Sequence, residues 1–317
     1  MCMAKIIMSV GEVCVDWVLT VERFPEADEK LYYLESSHFP GGVIANYSVG
    51  VARLGGDIYF IGGVGKDEWG DYLLNHMKNE GVKTDYMFIY KDKATAINFI
   101  IVDREGTKRI LQDPGLRTNI PEPSYFDSKE IEELMNKVAH VHLSATRLET
   151  ALAVAKKARE KGLTVSLDLE SHAIVSYGKE QVLELLRNVD LLLPNKLSLK
   201  FLFGEVTPEE GARKLLGLGP KTVVITLGER GCLVAYGDRT VVIPAFKIKP
   251  VDTTGAGDAF NAAFTLFHII EERSPEESAV LANAAAALKC LKLGAQTGMP
   301  RRNELRLFLE KHNLKLI

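Results

Sequence analysis

Val141-His142-Leu143 opens a stretch in which short aliphatic runs alternate with longer amphipathic ones as far as Val223-Val224-Ile225-Thr226. The helix-like segment 149–161 follows it, then Leu163-Thr164-Val165-Ser166-Leu167 and the helix-like 181–188. Asp190-Leu191-Leu192-Leu193 comes next with 197–203, and the helix-like 208–216 leads into 223–226. Runs of β-branched and aliphatic residues with no polar face belong to strands covered on both sides, and intervening helices make the connections parallel. The expected core is a three-layer, doubly wound α/β arrangement around a mostly parallel sheet.

Working outward, the first 115 residues break this rhythm. Strands of alternating polarity are expected at 13–20, 30–36, 95–102 and 108–112, and Asp103-Arg104-Glu105-Gly106 is a hairpin turn signal between the last two. These strands are expected to form a small β lid, over about 13–38 and 94–113, able to close over a ligand and exclude water. No internal repeat, low-complexity segment or long linker interrupts the chain, so 1–317 is read as one domain.

Composition narrows the classes of partner. A formal charge of -3 with dispersed Lys and Arg supplies no field for nucleic acid or anionic lipid. The most apolar long stretch, 259–270, contains Asn261 and His268 and is well short of the ~20 residues a membrane span needs. Cys2, Cys14, Cys232 and Cys290 lie too far apart for a zinc spacing or a dense disulfide scaffold, and are read as reduced thiols of a cytoplasmic protein. Lys5 followed by the run 6–10 is strand-sized, so no secretion signal is expected.

The chemistry centres on Asp252-Thr253-Thr254-Gly255-Ala256-Gly257-Asp258-Ala259-Phe260-Asn261, expected to follow a strand at 241–248 and to open an apolar helix. Its glycines allow backbone N–H groups to converge at a helix N-terminus, where anions are favoured. A carboxylate placed beside such an anion hole would repel a bound phosphate, so Asp258 points to work on a hydroxyl that attacks phosphorus. A helix cap flanked by turn glycines is the plainer alternative. A dinucleotide fingerprint fails because Phe260 stands where the third glycine is required. Gly62-Gly63-Val64-Gly65-Lys66-Asp67 fails as a P-loop because Asp67 holds the Ser/Thr position.

Three further clusters carry recognisable groups. Thr226-Leu227-Gly228-Glu229-Arg230-Gly231 follows a strand and would let backbone approach a phosphate or ribose, although an ordinary hairpin turn fits equally well. Gly11-Glu12 with Asp16, and Pro40-Gly41-Gly42 leading to Asn46 within a helix at 45–54, are the kinds of group that bind vicinal hydroxyls. A solvated aspartate and a helix start would look the same.

Taken in this order, the motifs resemble those of the ribokinase-like (PfkB-type) carbohydrate kinase family over essentially the whole chain. The resemblance implies a three-layer α/β fold whose β lid also serves as a homodimer clasp. It implies transfer of the γ-phosphate of ATP, with Mg²⁺, to a small sugar or polyol. Asp258 would be the catalytic base and Gly255, Ala256 and Gly257 the anion hole. Asn195, Thr226, Gly228, Gly231 and Asn283 would lie at the nucleotide, and Asp16, Gly41, Gly42 and Asn46 at the sugar. Asp252, with backbone around Gly294, is similar to a site for a monovalent cation such as K⁺.

The chain also departs from the family pattern. Asn195-Lys196-Leu197-Ser198 lacks the glutamate of the usual Asn-x-x-Glu, and Gly41-Gly42-Val43-Ile44-Ala45-Asn46 lacks the lysine of ribokinases proper. Pro114-Gly115-Leu116 runs into Arg117 where relatives carry asparagine. An arginine binds carboxylate or phosphate with two prongs, so Arg117, helped by Arg109 or Arg147, would suit an anionic sugar, although surface arginines beside a loop fit as well.

Overall fold

The computed structural model describes residues 5–317; Cys2 lies outside them. Eight strands form the central sheet in the order Arg239–Ile243, Cys232–Tyr236, Thr222–Thr226, Leu191–Pro194, Thr164–Leu169, Val138–Ser144, Ile6–Val10, Ile58–Ile61. The six from Thr222–Thr226 to Ile58–Ile61 run parallel, and at the other edge Cys232–Tyr236 pairs antiparallel with both Thr222–Thr226 and Arg239–Ile243. Alternate side chains serve opposite layers. Leu192, Val223 and Ile225 pack with Leu199, Ala212 and Leu215 on one face, while Leu191, Leu193 and Val224 pack with Phe260, Phe264 and Ala282 on the other. Burial on both faces explains why these strands read as unbroken aliphatic runs.

Strand order reverses beside Ile6–Val10, which has Ile58–Ile61 on one side and Val138–Ser144 on the other. In open parallel sheets the crevice at the carboxyl ends of the strands beside such a reversal is where ligands bind. Among the described residues no helix is long and apolar enough to cross a membrane.

A second sheet has the order Glu35–Gly41, Cys14–Thr20, Ile97–Val102, Lys108–Leu111. The hairpin expected at 103–106 forms: Asp103 Oδ1 accepts from the N–H groups of Glu105 (3.0 Å) and Thr107 (2.9 Å), and Gly106 takes φ 82°. Two strand positions differ from expectation. The one placed at 30–36 lies at Glu35–Gly41, because pairing is set by the register Thr20↔Glu35 through Cys14↔Gly41. Leu31, Tyr32, Tyr33 and Leu34 form a continuous apolar and aromatic run that lies before this register begins, and all four are exposed. The strand expected at 241–248 is Arg239–Ile243 and ends where Pro244, lacking an N–H, cannot extend the ladder.

Candidate active site

The loop before the helix Ala256–Thr265 is shaped by one carboxylate. Asp252 Oδ1 accepts from Thr254 N–H (3.0 Å) and Oγ1 (2.7 Å), while Oδ2 accepts from Gly294 N–H (2.9 Å). Burial alone would raise the Asp252 acid, but these hydrogen bonds and the Lys289 ammonium outweigh it and bring it down to about 2. The turn delivers Gly255 as the helix cap with φ 79°, a left-handed conformation, and a Cβ there would lie 2.9 Å from the Ala295 side chain. A Cβ on Gly257 would meet nothing within 4 Å, so the space over the first helical turn is open. N–H groups of that turn have no partner inside the helix and carry its positive dipole end.

Asp258 stands in that first turn without capping it, since the cap is Gly255 with no side-chain bond. Its Oδ2 accepts from Asn46 Nδ2 at 2.7 Å, and Asn46 Oδ1 in turn accepts from Gln296 Nε2 at 2.9 Å. Burial pushes the Asp258 acid up to about 7, against the pull of Asn46 and with added repulsion from Glu170, Glu12 and Asp16. A half-buried carboxylate that loses its proton near neutrality, beside an anion hole, can accept a proton from an attacking hydroxyl.

Of the neighbouring carboxylates, Glu12 follows the strand Ile6–Val10 at the reversal and Asp168 lies near the end of Thr164–Leu169, two strands away. Glu12 is buried and accepts from Ser144 Oγ at 2.6 Å, and burial holds its acid above the ordinary range. Asp168 Oδ2 accepts from Asn261 Nδ2 at 2.8 Å. Burial, followed by Glu170, Asp258 and Glu12, raises Asp168 well above its usual value. Among the described residues no three His, Cys, Asp or Glu side chains are grouped to hold a metal by themselves.

Asp16, Gly41, Gly42 and Asn46 are brought together. Asp16 Oδ1 accepts from Asn98 Nδ2 at 3.0 Å, and burial raises its acid. Gly41 lies against this carboxylate, and a Cβ there would be 2.3 Å from Asp16 Oδ2. Gly42, at φ 98°, caps the helix Val43–Arg53 that carries Asn46 toward Asp258. From the smaller sheet, Lys108 Nζ reaches Thr254 Oγ1 at 3.1 Å and Asp252 Oδ1 at 3.5 Å, so that sheet touches the anion-hole loop.

Asn195 and Thr226 meet as a parallel bridge at the ends of adjacent strands. Asn195 caps the helix Lys196–Phe203, its Oδ1 accepting from Ser198 N–H (2.9 Å) and Oγ (3.0 Å). Ser198 Oγ also lies 2.6 Å from the Leu169 carbonyl, so the residue that replaces a glutamate has become part of a buried cap. Gly228 and Gly231 sit in a true hairpin turn: Leu227 N–H donates to Gly231 O at 2.7 Å, and a Cβ on Gly231 would strike Ile243 O at 2.1 Å. Gly228 faces open space. Asn283 Nδ2 donates to Ile243 O (3.2 Å) and Pro244 O (3.1 Å), so its amide donors hold the end of the strand Arg239–Ile243 rather than a ligand.

Of the three arginines, Arg147 is bound to Ile120 O, Glu122 and Glu149, which corrects its reading as a helper for an anionic sugar. Arg109 lies over the Phe24 ring at 3.9 Å. Arg117 is exposed on the short helix Gly115–Thr118, 5.9 Å from the Tyr177 ring.

A family model for pfkB family carbohydrate kinases matches residues 4–302. The chain belongs to this family. A Bacillus subtilis ribokinase is 34% identical to this sugar kinase over 299 residues, covering 93% of this chain and 96% of the relative. An ATP-dependent ribose-1-phosphate kinase of Halopiger xanaduensis is 30% identical over 305 residues, covering 96% and 98%. The structure of an Arabidopsis thaliana ribokinase with ribose and ATP superposes with a TM-score of 0.87 at 28% identity, covering 97% of this chain and 99% of that one. The ribokinase-like three-layer fold is thereby established.

Several residues of this kinase site escaped the sequence reading. Gln296 and Asn98 act only through partners distant in the chain. Lys108 falls within the lid segment 94–113, and its contact with Thr254 spans 146 residues of chain. Asp168 and Glu170 carry a usable signal: two carboxylates at and just beyond the end of the core strand Thr164–Leu169.

Proposed function

We propose that this kinase transfers the γ-phosphate of ATP to a hydroxyl of a small sugar, with Asp258 as general base. The observation that carries this reading is Asp258 itself, half-buried beside the open first turn of Ala256–Thr265 and held by Asn46. Gly255 and Gly257 present N–H groups to the transferring phosphoryl group, while the Ala256 N–H donates to Thr253 O at 3.2 Å and holds the loop that shapes the hole. The strand ends at Asn195 and Thr226, with Gly228 and Gly231, take the nucleotide, and Asn283 supports that wall from behind. Asp16 and Asn46 bind sugar hydroxyls against Gly41 and Gly42. Relatives that are ribokinases, and one crystallised with ribose and ATP, support a pentose as the acceptor.

Mg²⁺ fits this site as an ion carried mainly by phosphates and water, since it is usually held through only one or two carboxylates; bound there, it neutralises phosphate charge. Glu170 and Asp168 are the acids available to it. The four-stranded sheet acts as a lid through Lys108. The lid exposes Phe99, Ile110 and Leu111, which supports pairing of two chains through it; a sedimentation mass of one chain would refute the pairing. Free thiols at Cys14, Cys232 and Cys290 support a cytoplasmic setting.

The decisive experiment measures ADP release with ATP and a panel of ribose, other sugars, nucleosides, inositol, keto-deoxy acids and sugar phosphates. Turnover with a pentose is expected; no release above background with any acceptor would leave only a binding protein. A pH profile adds a second check. Asp258 must be ionised to accept the proton and its free-enzyme value is about 7. kcat/KM is therefore full above that pH and falls about tenfold per unit below it.

A phosphorylated or acidic sugar is favoured by one observation: Arg117 is exposed and makes no ion pair among the described residues. On that reading Arg117→Ala raises KM for a sugar phosphate about tenfold or more, the effect of losing a charge-assisted hydrogen bond. An unchanged KM for the best anionic acceptor rules it out.

A further inference from the structure

Lys289 is the only lysine or arginine buried among the described residues, and its side chain is 0% exposed. It lies in the last turn of the helix Pro275–Cys290, and its Nζ donates to Asp252 O at 2.7 Å and lies 3.7 Å from Asp252 Oδ2. The same helix end grips the loop a second time, because Cys290 O accepts from the N–H groups of Val251 (2.8 Å) and Asp252 (3.2 Å). Room for the lysine stem depends on Gly298, where a Cβ would lie 3.0 Å from Lys289 Cε. A charge removed from water is tolerated only where it is paired and hydrogen-bonded. Here every partner belongs to the loop that builds the anion hole.

The position is the one at which the sequence suggested a monovalent cation. The residues do not fit another cation. Asp252 already faces two ammonium groups, Lys289 and, at 3.5 Å, Lys108, and Gly294 presents to it an N–H donor. A carbonyl and a carboxylate at a helix C-terminus are the groups a potassium ion would seek, and the Lys289 ammonium occupies them.

We propose that the Lys289 ammonium is a built-in monovalent cation that fixes the Asp252–Asp258 loop in its phosphate-binding form, so that turnover needs no K⁺ from solution. Lys289 is then a positioning residue, acting through Asp252 on Gly255 and the helix start. This inference rests on the kinase reading above for its activity arm only.

The test compares K⁺ with tetramethylammonium, too large to enter such a site, at equal ionic strength. The wild-type protein is expected to show the same kcat and the same Tm in both. Lys289→Met keeps the length of the side chain and removes the charge; its kcat in tetramethylammonium is expected to fall about tenfold or more, as loop misplacement does. Added K⁺ or NH₄⁺ should restore that kcat and raise the variant's Tm, which a merely structural lysine would not permit. A wild-type kcat or Tm that rises severalfold or by several degrees with K⁺ overturns the proposal. So does a variant that is fully active and indifferent to the cation. If Lys289→Met fails to fold, the wild-type comparison decides alone. If no sugar is turned over, the kinase reading fails while the two Tm comparisons still decide this one.

Discussion

Asp258→Asn is expected to lower kcat by about 10²–10⁴-fold, the usual worth of a positioned base, while the Kd for ATP stays near the wild-type value. The substitution keeps size and shape, and a carboxamide oxygen can still accept from Asn46 Nδ2, now 2.7 Å from the carboxylate. What disappears is the ability to take a proton. Unfolding does not confound this comparison, because the native carboxylate is a burden on the fold. Its acid is raised by burial to about 7, so the protonated form is preferred in the folded state. No stability is lost below the ordinary carboxylate value near 4; the loss grows as pH rises toward about 7 and is complete above it. Asparagine escapes that cost. The variant should therefore melt at or above the wild-type temperature at mildly alkaline pH while being nearly inert. Near-normal kcat in a well-folded variant would remove Asp258 from the chemistry.

The same residues show what could be read from the chain and what could not. The parallel core was legible because both faces of its strands are buried, which writes continuous aliphatic runs such as Leu191-Leu192-Leu193. The anion-hole loop was legible because its chemistry is local: Asp252 folds onto Thr254, Gly255 takes the left-handed turn, and Asp258 follows within one helical turn. Pairings across the chain were not. Asn46 and Asp258 are 212 residues apart, and Gln296 lies 250 from Asn46. Nothing near Asn46 announces either partner. Asn283 was assigned to the nucleotide by its helix, yet its donors go to Ile243 and Pro244 on a strand whose end the sequence placed too late. The lid strand lies at Glu35–Gly41 rather than 30–36 for a related reason, since the apolar run 31–34 stays exposed and register is decided by Cys14–Thr20. Lys289 illustrates the sharper case: a lysine in an alanine-rich helix reads as a solvated charge until the fold closes over it.

Gly41→Ala separates the sugar side from the nucleotide side. The added methyl would lie 2.3 Å from Oδ2 and 2.9 Å from Oδ1 of Asp16, so the carboxylate must swing away. Its own tether is modest, a single amide bond from Asn98 at 3.0 Å with a weak thiol contact from Cys14. Movement of a side-chain tip costs the fold little, so Tm should stay close to wild type. The sugar, however, loses a charge-assisted hydrogen bond worth about 1.5–3 kcal/mol, and its KM should rise about 10- to 100-fold. KM for ATP should not follow, because Asn195 and Thr226 lie on other strands. Gly42→Ala provides the contrast. Its methyl would meet the Glu12 carbonyl at 2.6 Å in a backbone already at φ 98°, where main chain must shift to make room. That variant should lose stability and both KM values together. A Gly41→Ala protein whose sugar KM is unchanged would show that Asp16 does not touch the acceptor.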